Sequence, residues 1–204
     1  MDELPQNWTY PLIQPKLIEK YMQIEKRSYS QIQLAAKQTM EYIKNIIRLG
    51  MNLLGIRKLC EEKLLELGAD SFWYWDVGAF VFAGDETTVS ESGKQYLTSD
   101  RVIGNNDIIT IDLSPQAGNI RGDYARTIIV ETGKVAEDIE LIGNLGHSIV
   151  KTKGDRVYIE KGNMTKLGDV KYFTFEPHIA FSDSKYGYKK ENIYYFEENR
   201  LMEL

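Results

Sequence analysis

The chain has 204 residues, 43% apolar and 27% charged, with 25 Lys and Arg against 30 Asp and Glu for a formal charge of −5. A chain this long buries about 70% of the surface its unfolded form exposes, so one domain spanning 1–204 is stable without disulfides or a metal staple. An aromatic content of 11% with only 5 Pro excludes disorder and fibrous repeats, and the mild acidity without a clustered basic face argues against a nucleic-acid partner.

The first residues, Met1-Asp2-Glu3-Leu4-Pro5, are acidic where a signal peptide is basic and then apolar. No run approaches the roughly 18 apolar residues that span a bilayer, so no membrane association is expected. From Pro15, Leu17, Ile18 and Tyr21 begin a three- and four-residue spacing that resumes with Ile32, Ala35, Ala36, Met40, Ile43 and Ile47 and stops at Gly50, predicting one or two amphipathic helices. A further helix runs from Ile56 through Leu59, Cys60, Leu64 and Leu67 to a stop at Gly68. Cys60, the single cysteine, reads as a small buried thiol in a reducing cytoplasm.

The texture then changes, giving a helical part at 15–67 and a sheet-rich part at 72–204. Short β-like runs occupy 79–83, 108–113, 125–130, 156–160, 172–176 and 193–196, divided by Gly and Asn turns. Helices first and strands later predict an α+β domain with helices packed on one face of a mainly antiparallel sheet.

Acidic residues interrupt these apolar strands. In Ile108-Ile109-Thr110-Ile111-Asp112-Leu113, Asp112 shares a face with Thr110 while Ile111 and Leu113 point the other way. A hairpin turn centred between Ala117 and Gly118 sets Asp112 directly opposite Asp123, where two like charges destabilise a sheet unless a cation is shared. Turn capping, or pairing with Arg121 or Arg126, explains either Asp equally well. His147, one of only two histidines, lies in the glycine-bracketed Gly143-Asn144-Leu145-Gly146-His147-Ser148-Ile149, where it is a metal ligand or an ordinary loop histidine. Glu176 ends a strand at Pro177. Glu191 precedes Asn192-Ile193-Tyr194-Tyr195-Phe196, and alone it reads as a solvated Glu beside Lys189 and Lys190.

Taken in order, Ile111-Asp112-Leu113-Ser114-Pro115, Gly122-Asp123-Tyr124-Ala125-Arg126-Thr127, Gly146-His147-Ser148-Ile149, Phe173-Thr174-Phe175-Glu176-Pro177 and Glu191-Asn192 resemble the metal-site motifs of the pita-bread metallopeptidases. That family includes methionine aminopeptidase, aminopeptidase P and Xaa-Pro dipeptidase. The resemblance covers about residue 40 to the C-terminus, and an ordered set of five motifs is far more specific than any one of them. The wording around Trp75-Asp76-Val77-Gly78-Ala79 and Tyr158-Ile159-Glu160-Lys161-Gly162-Asn163 is most similar to small aminopeptidase-P-like proteins.

The resemblance implies a pita-bread (creatinase/aminopeptidase-like) fold and a metallo-aminopeptidase acting on a peptide substrate, of Xaa-Pro type. It makes Asp112 the bidentate ligand of one metal, Asp123 and Glu191 bridging carboxylates, and His147 and Glu176 the remaining ligands of the other. The implied cofactors are two divalent metal ions, Mn²⁺, Co²⁺, Fe²⁺ or Zn²⁺, about 3.5–4 Å apart and sharing a hydroxide. Glu176 would also take the proton from the attacking water.

Two departures keep a second reading open, a catalytically silent module that binds a peptide or protein partner. The family places one extra histidine ahead of the first Asp and another after the metal-binding His. Here those stretches read Thr88-Val89-Ser90-Glu91-Ser92 and Lys151-Thr152-Lys153-Gly154-Asp155, which leaves His178 either as the candidate catalytic substitute or, equally, as a packed strand-end residue. The family also has a second helix pair where this chain has only residues 131–146, so that pair is missing or shortened. A sheet face left bare in this way favours a partner such as a homodimer, or an omitted segment, over an isolated monomer.

Overall fold

The computed structural model describes residues 15–105, 107–130, 141–142, 145–180 and 185–204. The expectation of a shortened helix pair falls on 131–146, most of which lies outside the described residues. Among the described residues, no helix is long and apolar enough to cross a membrane.

The spacing that allowed one helix or two forms a single helix, α1 (Pro15–Ile46). Its stripe of Ile32, Ala36, Met40 and Ile43, continued by Ile47, is buried. Each large member contributes about 1.5–3 kcal/mol of burial. The second helix, α2 (Leu53–Glu66), begins before Ile56 because Asn52 caps it, its Oδ1 accepting from the Gly55 N–H at 2.8 Å. Leu53, Ile56, Cys60 and Leu64 face inward, and Gly68 ends the turn at φ +105°, a conformation costly for any residue with a Cβ.

The strands are β1 (Ser71–Phe72), β2 (Ala79–Ala83), β3 (Ile108–Leu113), β4 (Pro115–Ala117), β5 (Ile120–Arg121), β6 (Tyr124–Ile129), β7 (Leu141–Ile142), β8 (Phe173–Phe175), β9 (His178–Ile179), β10 (Tyr188–Glu197) and β11 (Arg200–Glu203). All pair antiparallel. The main sheet runs β2-β3-β6-β10-β9-β7, with β8 and β11 also paired to β10, while β1-β4-β5 make a small second sheet.

Three readings are corrected. Residues 156–160 form no strand, and Tyr158 makes only an isolated bridge to His147. The run at 193–196 lies in the second half of a ten-residue strand that begins at Tyr188 and so takes in Lys189 and Glu191. The hairpin between β3 and β6 turns between Gly118 and Asn119, since Ala117 pairs with Ile120, so Asp112 faces Ala125 and not Asp123.

Alternation along the strands divides the sheet's two faces. Ala79, Val81 and Ala83 of β2, Ile109, Ile111 and Leu113 of β3, and Tyr124 and Ile128 of β6 pack with the buried stripes of α1 and α2. The opposite face carries Phe80, Phe82, Thr110, Asp112, Lys189 and Glu191, which line a cavity of about 270 Å³.

Candidate metal centre

One row of paired positions crosses the sheet from Phe80 to Asp112, Ala125 and Glu191. Asp112 and Glu191 therefore point into the same cavity from β3 and β10, and the Ala125 methyl between them on β6 leaves the space above it open. The next row inward pairs Thr110 with Thr127, their hydroxyls 2.8 Å apart. Thr127 Oγ1 also accepts from the Lys189 N–H at 2.8 Å, tying β10 to β6 beside the acidic row.

Asp123 lies in the break between β5 and β6, and its backbone is held from below by the buried Gln33 of α1. The break turns its carboxylate into the cavity without a ladder position. His147 is placed by β8: its N–H donates to Thr174 Oγ1 at 3.1 Å and its C=O accepts from the Thr174 N–H at 2.8 Å. Gly146 makes that approach possible, because a Cβ there would stand 2.0 Å from the Thr174 carbonyl oxygen. The Glu176 N–H donates to the Leu145 C=O at 2.8 Å, bringing Glu176 to the same end.

The ligand atoms of Asp123, His147 and Glu191 all lie within 4.8 Å of one another, and all three residues are buried. His147 Nδ1 is 3.0 Å from the Ser148 carbonyl oxygen, so the proton is assigned to Nδ1 and the Nε2 lone pair faces inward. It faces Asp123 Oδ2 at 3.8 Å and Glu176 Oε1 at 3.6 Å, too far for hydrogen bonds. Burial holds the imidazole below its ordinary pKa and therefore neutral. Neither oxygen of the 1%-exposed Glu191 side chain accepts a hydrogen bond among the described residues. A lone pair aimed at carboxylate oxygens, beside a buried carboxylate that accepts no hydrogen bond among the described residues, fits a divalent cation with oxygen and imidazole ligands.

The Lys189 side chain reaches this cluster. The Lys189 ammonium stands 2.5 Å from Asp112 Oδ2, 3.1 Å from Glu176 Oε2 and 3.3 Å from Glu191 Oε2. Burial would lower its pKa, but the three carboxylates outweigh burial and hold it well above the usual lysine value. Burial also works to raise Glu176, and there Lys189 and His147 win, holding the carboxyl below its ordinary value. Asp123 and Glu191 go the other way: burial first, then their acidic neighbours, pushes both well up.

All six residues singled out by sequence, Asp112, Asp123, His147, Glu176, His178 and Glu191, line the one cavity. His178 is engaged with backbone: its Nε2 lies 2.7 Å from the Thr87 carbonyl oxygen. Val89, Ser90 and Glu91, from the stretch without the extra histidine, also line the cavity, as does the preceding Thr87. Sequence reasoning passed over Lys189 as a surface neighbour of Glu191, although their two-residue spacing within a strand already puts them on one face. It also missed Gln33, Trp73 and Arg156. The Arg156 guanidinium stacks 4.4 Å from the Trp73 ring at the cavity wall, a contact for which the sequence carries no signal.

The sequence model of metallopeptidase family M24 matches residues 27–144, more than half of the chain. Among solved structures, the X-Pro aminopeptidase from Thermotoga maritima is 18% identical with a TM-score of 0.71, over 94% of this chain and 64% of that one. A dipeptidase from Mycobacterium ulcerans is 15% identical with a TM-score of 0.72, over 95% of this chain and 62% of that one. Prolidase from Pyrococcus furiosus is 17% identical with a TM-score of 0.68, over 91% and 63%. The likeness is one of fold, the expected pita-bread architecture, and the chain spans less than two thirds of the length of each of these proteins. No curated protein sequence matches it.

Proposed function

Because the chain belongs to metallopeptidase family M24, we propose that it is a metal-dependent peptidase hydrolysing an N-terminal peptide bond, of Xaa-Pro type. The observation that carries this reading is the convergence of Asp123, His147 and Glu191 within 4.8 Å, in a cavity of small-ligand size. These three, with Glu176 beside His147, would hold an Mn²⁺, Co²⁺, Fe²⁺ or Zn²⁺ ion. When bound, such an ion polarises the scissile carbonyl and lowers the pKa of water.

The chain's own groups do the rest. Glu176, kept ionised chiefly by the Lys189 ammonium, accepts the proton of the attacking water at a carboxylate oxygen and returns it to the leaving amine. Phe80, Phe82 and Trp73 provide apolar walls for the substrate, and the Arg156 guanidinium stands among them as a cation for its oxygens. The X-Pro aminopeptidase and prolidase among the similar structures support a proline-directed specificity.

The three-carboxylate contact of Lys189 favours a second reading, a module that binds peptides without cleaving them, because the chain neutralises part of its own acidic cluster. The two readings separate in one assay. The full chain is incubated with Mn²⁺ or Co²⁺ and Xaa-Pro and Met-initiated peptides, and release of the N-terminal residue is followed. Release abolished by chelator and by Glu176→Gln supports the peptidase. Binding without release, with every metal tried, supports the module.

A further inference from the structure

We infer that Lys189 is a built-in cation occupying one end of the carboxylate cluster, so that the chain takes one divalent ion, at Asp123, His147 and Glu191, and not two. The inference rests on the metal-dependent reading of this site and concerns how many ions it holds.

The Lys189 ammonium donates to Asp112 Oδ2 at 2.5 Å and forms ion pairs with Glu176 Oε2 at 3.1 Å and Glu191 Oε2 at 3.3 Å. Its charge is therefore matched within the cluster. Its position is set by β10, where Lys189 and Glu191 share a face, and by the bond from its backbone N–H to Thr127 Oγ1. The side chain is 17% exposed, so the charge is screened weakly by solvent.

The cluster is then divided into two ends. At one end Asp112 is engaged by the ammonium through Oδ2. At the other, Asp123, His147 and Glu191 converge, with the His147 lone pair and Glu191 Oε1 free of any proton donor among the described residues. Asp112 does not join that convergent group. A second divalent ion placed on Asp112 and Glu191 competes with the ammonium for Asp112 Oδ2, which it already holds, and two cations in contact within a buried site repel strongly.

The test is a metal count. The purified full chain is equilibrated with excess Mn²⁺, freed of unbound ion, and measured by elemental analysis and by calorimetric titration, beside Lys189→Met. One ion per wild-type chain and two per Lys189→Met chain are expected. Two ions per wild-type chain overturn the inference, and so does a folded Lys189→Met variant that still takes one. A wild-type chain that takes none overturns the metal-dependent reading itself and this inference with it, a result distinct from a count of two. Because removing the ammonium leaves three carboxylates together, the variant is purified with Mn²⁺ present and its fold checked by circular dichroism. If it does not fold, the wild-type count decides alone.

Discussion

The side-chain amide of Gln33 holds the backbone of Asp123 at both ends: Nε2 donates to the Asp123 C=O at 2.7 Å, and Oε1 accepts from the Asp123 N–H at 3.0 Å. Gln33 is 0% exposed. Helix α1 thus replaces, at one residue, the ladder bonds that the break between β5 and β6 removes, and this lets the Asp123 carboxylate turn into the cavity.

Gln33→Leu keeps the side chain's bulk and leaves both backbone groups of Asp123 buried without partners. Each such orphan costs about 1–3 kcal/mol, so a loss of about 2–6 kcal/mol is expected in urea unfolding at constant m-value. Mn²⁺ affinity should fall as well, because the carboxylate loses its support. A variant as stable as the wild type would show that Asp123 is held by other means.

Glu191→Gln separates the cost of a buried charge from its use. Glu191 is pushed well above the ordinary glutamate value of 4.5 by burial and by its acidic neighbours. The unfolded chain therefore ionises this carboxyl first. It costs stability at any pH above about 4.5, and the cost vanishes below that. Each unit of upward shift corresponds to about 1.4 kcal/mol. In chelator at pH 7 the Gln variant should melt higher than the wild type, with the advantage gone at pH 4, and added Mn²⁺ should reverse the order. A variant less stable in chelator at pH 7 contradicts this sign.

Gly146→Ala tests the seating of His147. The added methyl would lie 2.0 Å from the Thr174 carbonyl oxygen, and the glycine's φ of +152° disfavours alanine independently. The 145–149 segment must move off β8, at a cost of about 1–3 kcal/mol. The expected readouts are a lower Tm and a displaced His147 ring resonance. An unchanged Tm would mean that the strand pair yields without cost.

Ala125→Leu fills the space between Asp112 and Glu191 on the row that spans four strands. Overpacking costs about 1–3 kcal/mol, and crowding the carboxylates should weaken Mn²⁺ binding about 10- to 100-fold, the range typical of changes beside metal ligands. Ala125→Ser, nearly isosteric, should bind as the wild type does. If both variants bind equally, the gap above Ala125 plays no part in holding the ion.

The two helices, strands β2, β3 and β6, the family, and the order of its motifs are all legible in the chain. Helix stripes and strand alternation are local properties, repeated every three to four or every two residues. Even the Gln33 stripe position and the shared face of Lys189 and Glu191 follow from such counting. Register does not. A turn centred one residue later than expected, between Gly118 and Asn119, moved Asp112 from Asp123 to Ala125 and made Glu191, two strands away, the carboxylate in its row. Which cation answers Asp112 was settled by the pairing of β3, β6 and β10 together. That depends on contacts between residues up to 77 positions apart, whose energies no short window of sequence contains.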